Sequence, residues 1–154
     1  MPLSGSLRER LKGQLDALDL ALAGADATAL QRRPPSGKWS AHENLAHLAR
    51  YHEVFRERLE RILREDRPEF GRYRSEEDPG WPPWPASEPA EVARRLRELR
   101  AELVALVERL TPAELTCTGV HPLFGEMTVP EWIEFFLVHE AHHLYLILLR
   151  ARGA

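Results

Sequence analysis

The chain has 154 residues, enough for one domain (1–154) with a sizeable core. Apolar residues make up 44% and charged residues 29%, a globular balance, and the net charge of −3 excludes the basic footprint of a nucleic-acid binder. Cys117 is the single cysteine, so no internal disulfide is available. The N-terminus has no apolar leader, and the longest uncharged apolar run is Leu144 to Leu149, so a cytoplasmic protein without a membrane span is expected.

Four helical segments are predicted, and no segment alternates convincingly with period two. The first runs from about Leu7 to Gly24, with Leu7, Leu11, Leu15, Leu18 and Leu22 on one stripe and Gly24 as a stop. The second runs from about Ala41 to Arg64. Ser40 and Glu43 form a capping box at its start, and Trp39 is expected to pack beneath that start. The connector Glu65 to Ala86 is long, with Pro68, Pro79, Pro82, Pro83 and Pro85 around Trp81 and Trp84. A connector of that length can traverse a helix of about 36 Å, which allows helices two and three to run parallel. Its two tryptophans suit a packed crossover better than a lid.

The third helix runs from about Pro89 to Leu110, capped by Ser87, with Val92, Leu96, Leu99, Leu103, Leu106 and Leu110 inward. Thr111 and Pro112 end it and open a short helical turn through Leu115. The fourth runs from about Val129 to Arg152, with a capping box of Thr128 and Glu131. It carries two apolar stripes, Trp132, Phe136 and Leu146 beside the histidines and Ile133, Leu137, Leu144 and Leu148 opposite. One stripe is expected in the bundle and the other against a second subunit.

His-Glu-Ala-His-His, residues 139–143, matches the H-E-x-x-H pattern in which two helix-borne histidines hold zinc and the glutamate acts as base. His139 and His143 share a helix face, with Cβ atoms about 5–6 Å apart, and can converge on one ion. Two partly buried histidines satisfied by polar neighbours are the other reading. A peptidase layout is not expected, because its third ligand comes from downstream, and Leu144 to Ala154 contains no His, Asp or Glu. A third ligand therefore has to come from an earlier helix. His47 is the best placed, on a face shared with Glu43, Tyr51 and Val54. His42 and His52 point about 140° away from that face and are read as surface or helix-flank histidines. His142, about 60° from His139, is read as a non-ligand.

Trp39-Ser40 before a capped helix bearing His47-Leu48, the C-terminal His139-x-x-His142-His143 and the segment His121-Pro-Leu-Phe-Gly-Glu-Met-Thr-Val-Pro-Glu-Trp-Ile together resemble the DinB-like superfamily of small helical metal-binding proteins. The resemblance covers nearly the whole chain. It implies an all-α four-helix bundle of up-down-down-up topology, with the long crossover between helices two and three. It also implies a divalent metal, usually zinc or nickel, held by His47, His139 and His143, and a homodimer. Many members carry Gln three residues after the last ligand, where this chain has Leu146.

A three-histidine ion leaves positions open for water or substrate. The expectation by resemblance is a metal-dependent enzyme activating a small thiol or water, of thiol transferase or hydrolase type. The alternative is a non-catalytic, stress-related protein that binds metal or a small ligand. Glu140 and Glu43 are candidate bases, although a solvent-facing helix glutamate is the favoured reading of each taken singly. Tyr51, one turn after His47, can orient a substrate or simply pack. His121, beside Pro122, is a candidate auxiliary acid or base or an ordinary loop histidine.

Overall fold

The computed structural model describes residues 3–154. The first predicted helix is broken into α1 (Gly5–Gly13) and α2 (Ala17–Leu22), with a 3-10 turn at Gln14–Asp16 between them. Gly13, a weak helix former, immediately precedes the break. The leucine stripe survives it: Leu7, Leu11, Leu15 and Leu18 are all buried. A further short helix, α3 (Ala27–Gln31), starts at Asp26, whose side chain accepts from Ala29 N–H.

The second predicted helix is α4 (Ala41–Arg64), with the Ser40–Glu43 capping box formed in both directions. The crossover holds α5 (Pro83–Ala86) and leads into α6 (Pro89–Glu108). Ser87 does not cap α6. Its hydroxyl donates to the Pro83 carbonyl, and Glu88 occupies the N-cap without a side-chain bond. The helix also ends two residues early, at Glu108. The expected turn follows as α7 (Pro112–Leu115), and the last helix is α8 (Val129–Ala151), opened by Thr128 and Glu131.

Between α7 and α8 lies an antiparallel hairpin absent from the sequence reading, β1 (Thr118–His121) and β2 (Gly125–Thr128). Its strands are too short for a period-two signal to emerge. Gly125, at φ 74, supplies the left-handed residue after the three-residue turn Pro122–Phe124. Gly119 lies against α4, where a Cβ would meet Ile62 Cγ1 at 2.8 Å and Phe70 Cε2 at 3.0 Å. The crossover adds to this edge, as Val120 N–H donates to Pro68 and Phe70 N–H to Val120.

Contacts between helices give the topology. Arg10 reaches Glu134, Gln14 reaches Leu137 and Glu140, and Arg152 reaches Leu20 and Ala21, so the α1–α2 segment runs parallel to α8. Asn44 meets His143, whereas Phe55 meets Phe136, so α4 is antiparallel to α8. His42 lies beside Pro85, His52 beside Arg100 and Arg56 beside Glu102, so α4 and α6 run parallel. This is the up-down-down-up four-helix bundle with a long crossover.

The crossover is packed and pinned. Arg50 pairs with Asp78 through two hydrogen bonds of 2.7 and 3.0 Å, and the Tyr73 hydroxyl donates to Asp78 at 2.7 Å. Trp81 stacks on Trp39, and Trp84 joins the apolar cluster around Leu45, Leu48 and Leu96.

Both stripes of α8 are used inside the bundle. Trp132, Ile133, Phe136 and Leu137 lie in one apolar cluster and Leu144 in the other. The exposed apolar residues of α8 are instead Val138 and Tyr145, which corrects the expectation that a whole stripe stays free for a partner. No described helix is long and apolar enough to cross a membrane.

Candidate metal centre

The expected antiparallel pairing of α4 and α8 brings His47, in the second turn of one helix, against His139 and His143 on the other. One potential ligand atom from each of the three lies within 4.8 Å of the others. The Nε2 atoms of His47 and His139 are 3.1 Å apart. Two nitrogens bound at about 2.0–2.1 Å in a tetrahedral site stand about 3.3 Å apart, so the pair is spaced for a shared ion.

Hydrogen bonds set which nitrogen of His143 and of His47 would face an ion. The Asn44 amide donates to the Ser40 carbonyl at 2.9 Å, which turns its oxygen towards His143. That oxygen accepts from His143 Nδ1 at 2.8 Å, placing the proton on Nδ1 and leaving Nε2 with a free lone pair. The Nδ1 of His47 is bonded at 3.0 Å to the hydroxyl of Ser75, itself buried at the start of a 3-10 turn in the crossover. The Nδ1 of His139 is buried without a polar partner.

Each of the three imidazoles has a pKa lowered to about 3, first by burial and then by the neighbouring histidines. They are therefore neutral near pH 7, the form that ligates a metal. Aromatic rings shield them. Trp39 lies 5.3 Å from His47 between ring centroids, and Tyr51 lies 4.4 Å from His139. Trp39 thus covers the histidines as well as the helix start. A cavity of about 520 Å³ opens against His47 and His139, and a second of about 340 Å³ touches all three histidines from the Ser75 side.

The profile of the DinB superfamily matches residues 10–147. The chain belongs to the DinB superfamily. Among solved structures it is similar to YfiT from Bacillus subtilis, described as a probable metal-dependent hydrolase with an unusual four-helix bundle topology. The two share 22% identity with a TM-score of 0.80, over 96% of this chain and 86% of that one. No curated protein matches. The three-histidine group of this DinB-superfamily chain can hold a metal ion, and its donor set of neutral imidazoles suits a divalent one.

The other candidate residues divide. Tyr51 and His121 line the larger cavity together with His47 and His139. Burial raises the Tyr51 pKa, with Arg58 opposing. His121, at the end of β1, accepts at Nδ1 from Leu123 N–H and Phe124 N–H at 3.1 and 3.2 Å, so it holds the hairpin turn while facing the cavity.

Glu140 is only 1% exposed and turned away from the triad. Its carboxylate accepts from Arg100 and from Gln14. Neither the solvent-facing reading nor a position beside the ion survives. Glu43 is occupied by Ser40 and by two bonds from Arg33.

His42 and His52 are buried, not surface residues as expected. The reason is that α4 is flanked by α6 and α5 as well as α8, so the faces away from the triad are covered too. His42 Nε2 bonds the Pro85 carbonyl at 3.0 Å. His52 donates from Nδ1 to the Leu48 carbonyl at 2.7 Å and accepts at Nε2 from Arg100. It stands 3.7 Å from Glu140 but is no ion-pair partner, because burial and Arg100 lower its pKa to about 3. His142 is exposed on α8. Sequence reasoning missed Asn44 and Ser75. Asn44 had a signal, standing one turn before His47; Ser75 had none.

Proposed function

We propose that this chain is a metal-dependent enzyme in which His47, His139 and His143 hold a divalent ion, zinc or nickel, beside a substrate cavity. The observation that carries the reading is the group of three neutral imidazoles within ligating reach of one another, two of which, His47 and His139, line a 520 Å³ cavity. The description of YfiT as a probable metal-dependent hydrolase supports it. An ion with three histidine ligands and open positions supplies Lewis acidity and lowers the pKa of a bound water or thiol. The chain's own part is to orient and to exclude. Asn44 fixes His143 and Ser75 fixes His47, and the aromatic walls keep bulk water from the reacting centre.

The reaction class is activation of a small thiol or water, as a thiol transferase or hydrolase. Tyr51 positions substrate, and His121, whose Nδ1 lone pair is held by the hairpin backbone, presents its Nε2–H to the cavity as a hydrogen-bond donor. Glu140 is a structural anion in this reading. The enzyme acts as a homodimer in the cytoplasm, joined through the exposed apolar residues of α8.

Protein purified without added metal is expected to carry about one divalent ion per chain. His47→Ala should lose it, and full occupancy in that variant contradicts the triad. Turnover with a panel of thiols or hydrolysable esters, abolished by chelation, identifies the reaction. Saturable binding without turnover turns the reading to a non-catalytic binding protein.

A further inference from the structure

Arginine is the commonest cation of this chain, and most of its buried or half-buried examples are neutralised. Arg100 is paired with Glu140 and Arg50 with Asp78. Arg58 is different. It is 9% exposed, and among the described residues no carboxylate lies within ion-pair distance of it. Its Nη2 donates to the Gly71 carbonyl at 2.9 Å and the Tyr51 hydroxyl is a second, neutral neighbour, which leaves several of the five guanidinium donors open. Its Cζ lies 5.3 Å from the centre of the Phe70 ring and 6.0 Å from that of Trp132. Those contacts hold the group but do not cancel its charge. A buried cation without an anion is costly, so its retention calls for a partner.

The surroundings show where the partner comes from. Arg58 lines the same 520 Å³ cavity as His47, Tyr51 and His139, and Arg72 lines it as well. No acidic residue is among its lining groups, and the walls include Phe124, Phe135 and Tyr73. His47, Tyr51 and Arg58 share one face of α4, since eleven residues return to within about 20° at three turns' distance. Tyr51 bridges them, with its ring against His139 and its hydroxyl influenced by the Arg58 guanidinium. A metal at the triad would make the cavity still more positive.

We propose that the cavity takes a small organic carboxylate with an apolar or aromatic body, its carboxylate paired to Arg58 and its reacting end directed at the histidine triad. This rests on the reading of the triad as a reactive metal centre. Arg58 is the specificity-determining residue of that substrate class, and the aromatic walls accept the body.

The test compares phenylacetate with its neutral isostere phenylacetamide, by calorimetric titration of zinc-loaded and of chelated protein. Phenylacetate is expected to bind roughly ten- to a hundred-fold more tightly in both states. Arg58→Gln should bring the two affinities together without changing zinc content, and Arg58→Lys should keep part of the preference. Should Arg58→Gln not fold, as judged by circular dichroism, Arg58→Lys is the variant read. Equal affinities in the wild type, or no saturable binding of phenylacetate, overturn the proposal. So does a preference that survives in Arg58→Gln but disappears on chelation, since the ion then holds the carboxylate and the metal reading stands alone. A protein that binds no metal yet shows an Arg58-dependent preference sinks the enzyme reading and keeps the carboxylate site at Arg58.

Discussion

Asn44 shows how one side chain determines the state of another. Its amide is oriented by the Ser40 carbonyl, and it then places the proton on His143 Nδ1. Asn44→Leu should therefore weaken metal affinity about 10- to 100-fold, measured by competition against a chelator of known strength. His47, His52, His139 and His143 each have a pKa lowered to about 3, chiefly by burial, against 6.5 for a free imidazole. Between those values the unfolded chain binds more protons than the folded one. Stability is then complete above about pH 6.5 and lost as pH falls towards about 3. The melting temperature of metal-free protein should decline steadily from pH 7 to pH 5, and a flat profile would contradict the buried neutral state. The triad was legible because His139 and His143 stand four apart, His47 falls on a helix face with Tyr51 and Val54, and the resemblance implied the three together. His52 was misread because a helical wheel gives direction but not what covers each direction.

At the level of elements, the two apolar clusters of the bundle are separated by a polar layer. Arg100 of α6 bonds Glu140 of α8, His52 of α4 and the Leu11 carbonyl of α1, and Gln14 completes it. All four long segments thus meet at one guanidinium. Arg100→Met should destabilise the fold by about 3–5 kcal/mol in chemical denaturation, because it strands a buried carboxylate. Adding Glu140→Leu should restore much of the loss. The helices themselves were legible, from capping boxes at Ser40 and Thr128 and from leucine spacing. The hairpin was not, since its pairing is set by what lies beside it. Gly119 is there because Ile62 and Phe70 occupy the space of a side chain. Gly119→Val should lower the melting temperature and displace the turn that His121 holds, visible as a change in near-ultraviolet dichroism.

At the scale of the whole molecule, the large exposed apolar side chains among the described residues fall in two places, Leu123 and Phe124 at the hairpin turn and a group on and beside α8. Val138 is 69% exposed and Tyr145 59%, one above the other on α8, and Leu20 is 62% exposed on the adjoining α2. The proposed homodimer buries this patch. Light scattering after gel filtration should give twice the chain mass for the wild type and a single chain mass for Val138→Glu with Tyr145→Lys. A monomeric wild type at micromolar concentration would remove the dimer. The topology belongs to this scale, and its long crossover was visible in the proline-rich run from Pro68 to Pro85. That the crossover also delivers Ser75 to His47 was not visible, because no periodicity links a loop hydroxyl to a distant helix.

The facing nitrogens of His47 and His139 belong to residues 92 apart in the chain. An unfolded chain offers an ion the local pair on α8 but not the third donor, so the complete site exists only in the folded state. A bound ion then acts as a staple between α4 and α8, and it stabilises the fold in proportion to the logarithm of its free concentration over its dissociation constant. Thermal melting thereby becomes a balance for weighing metals. The ion that raises the midpoint most at equal free concentration is the one this site holds most tightly.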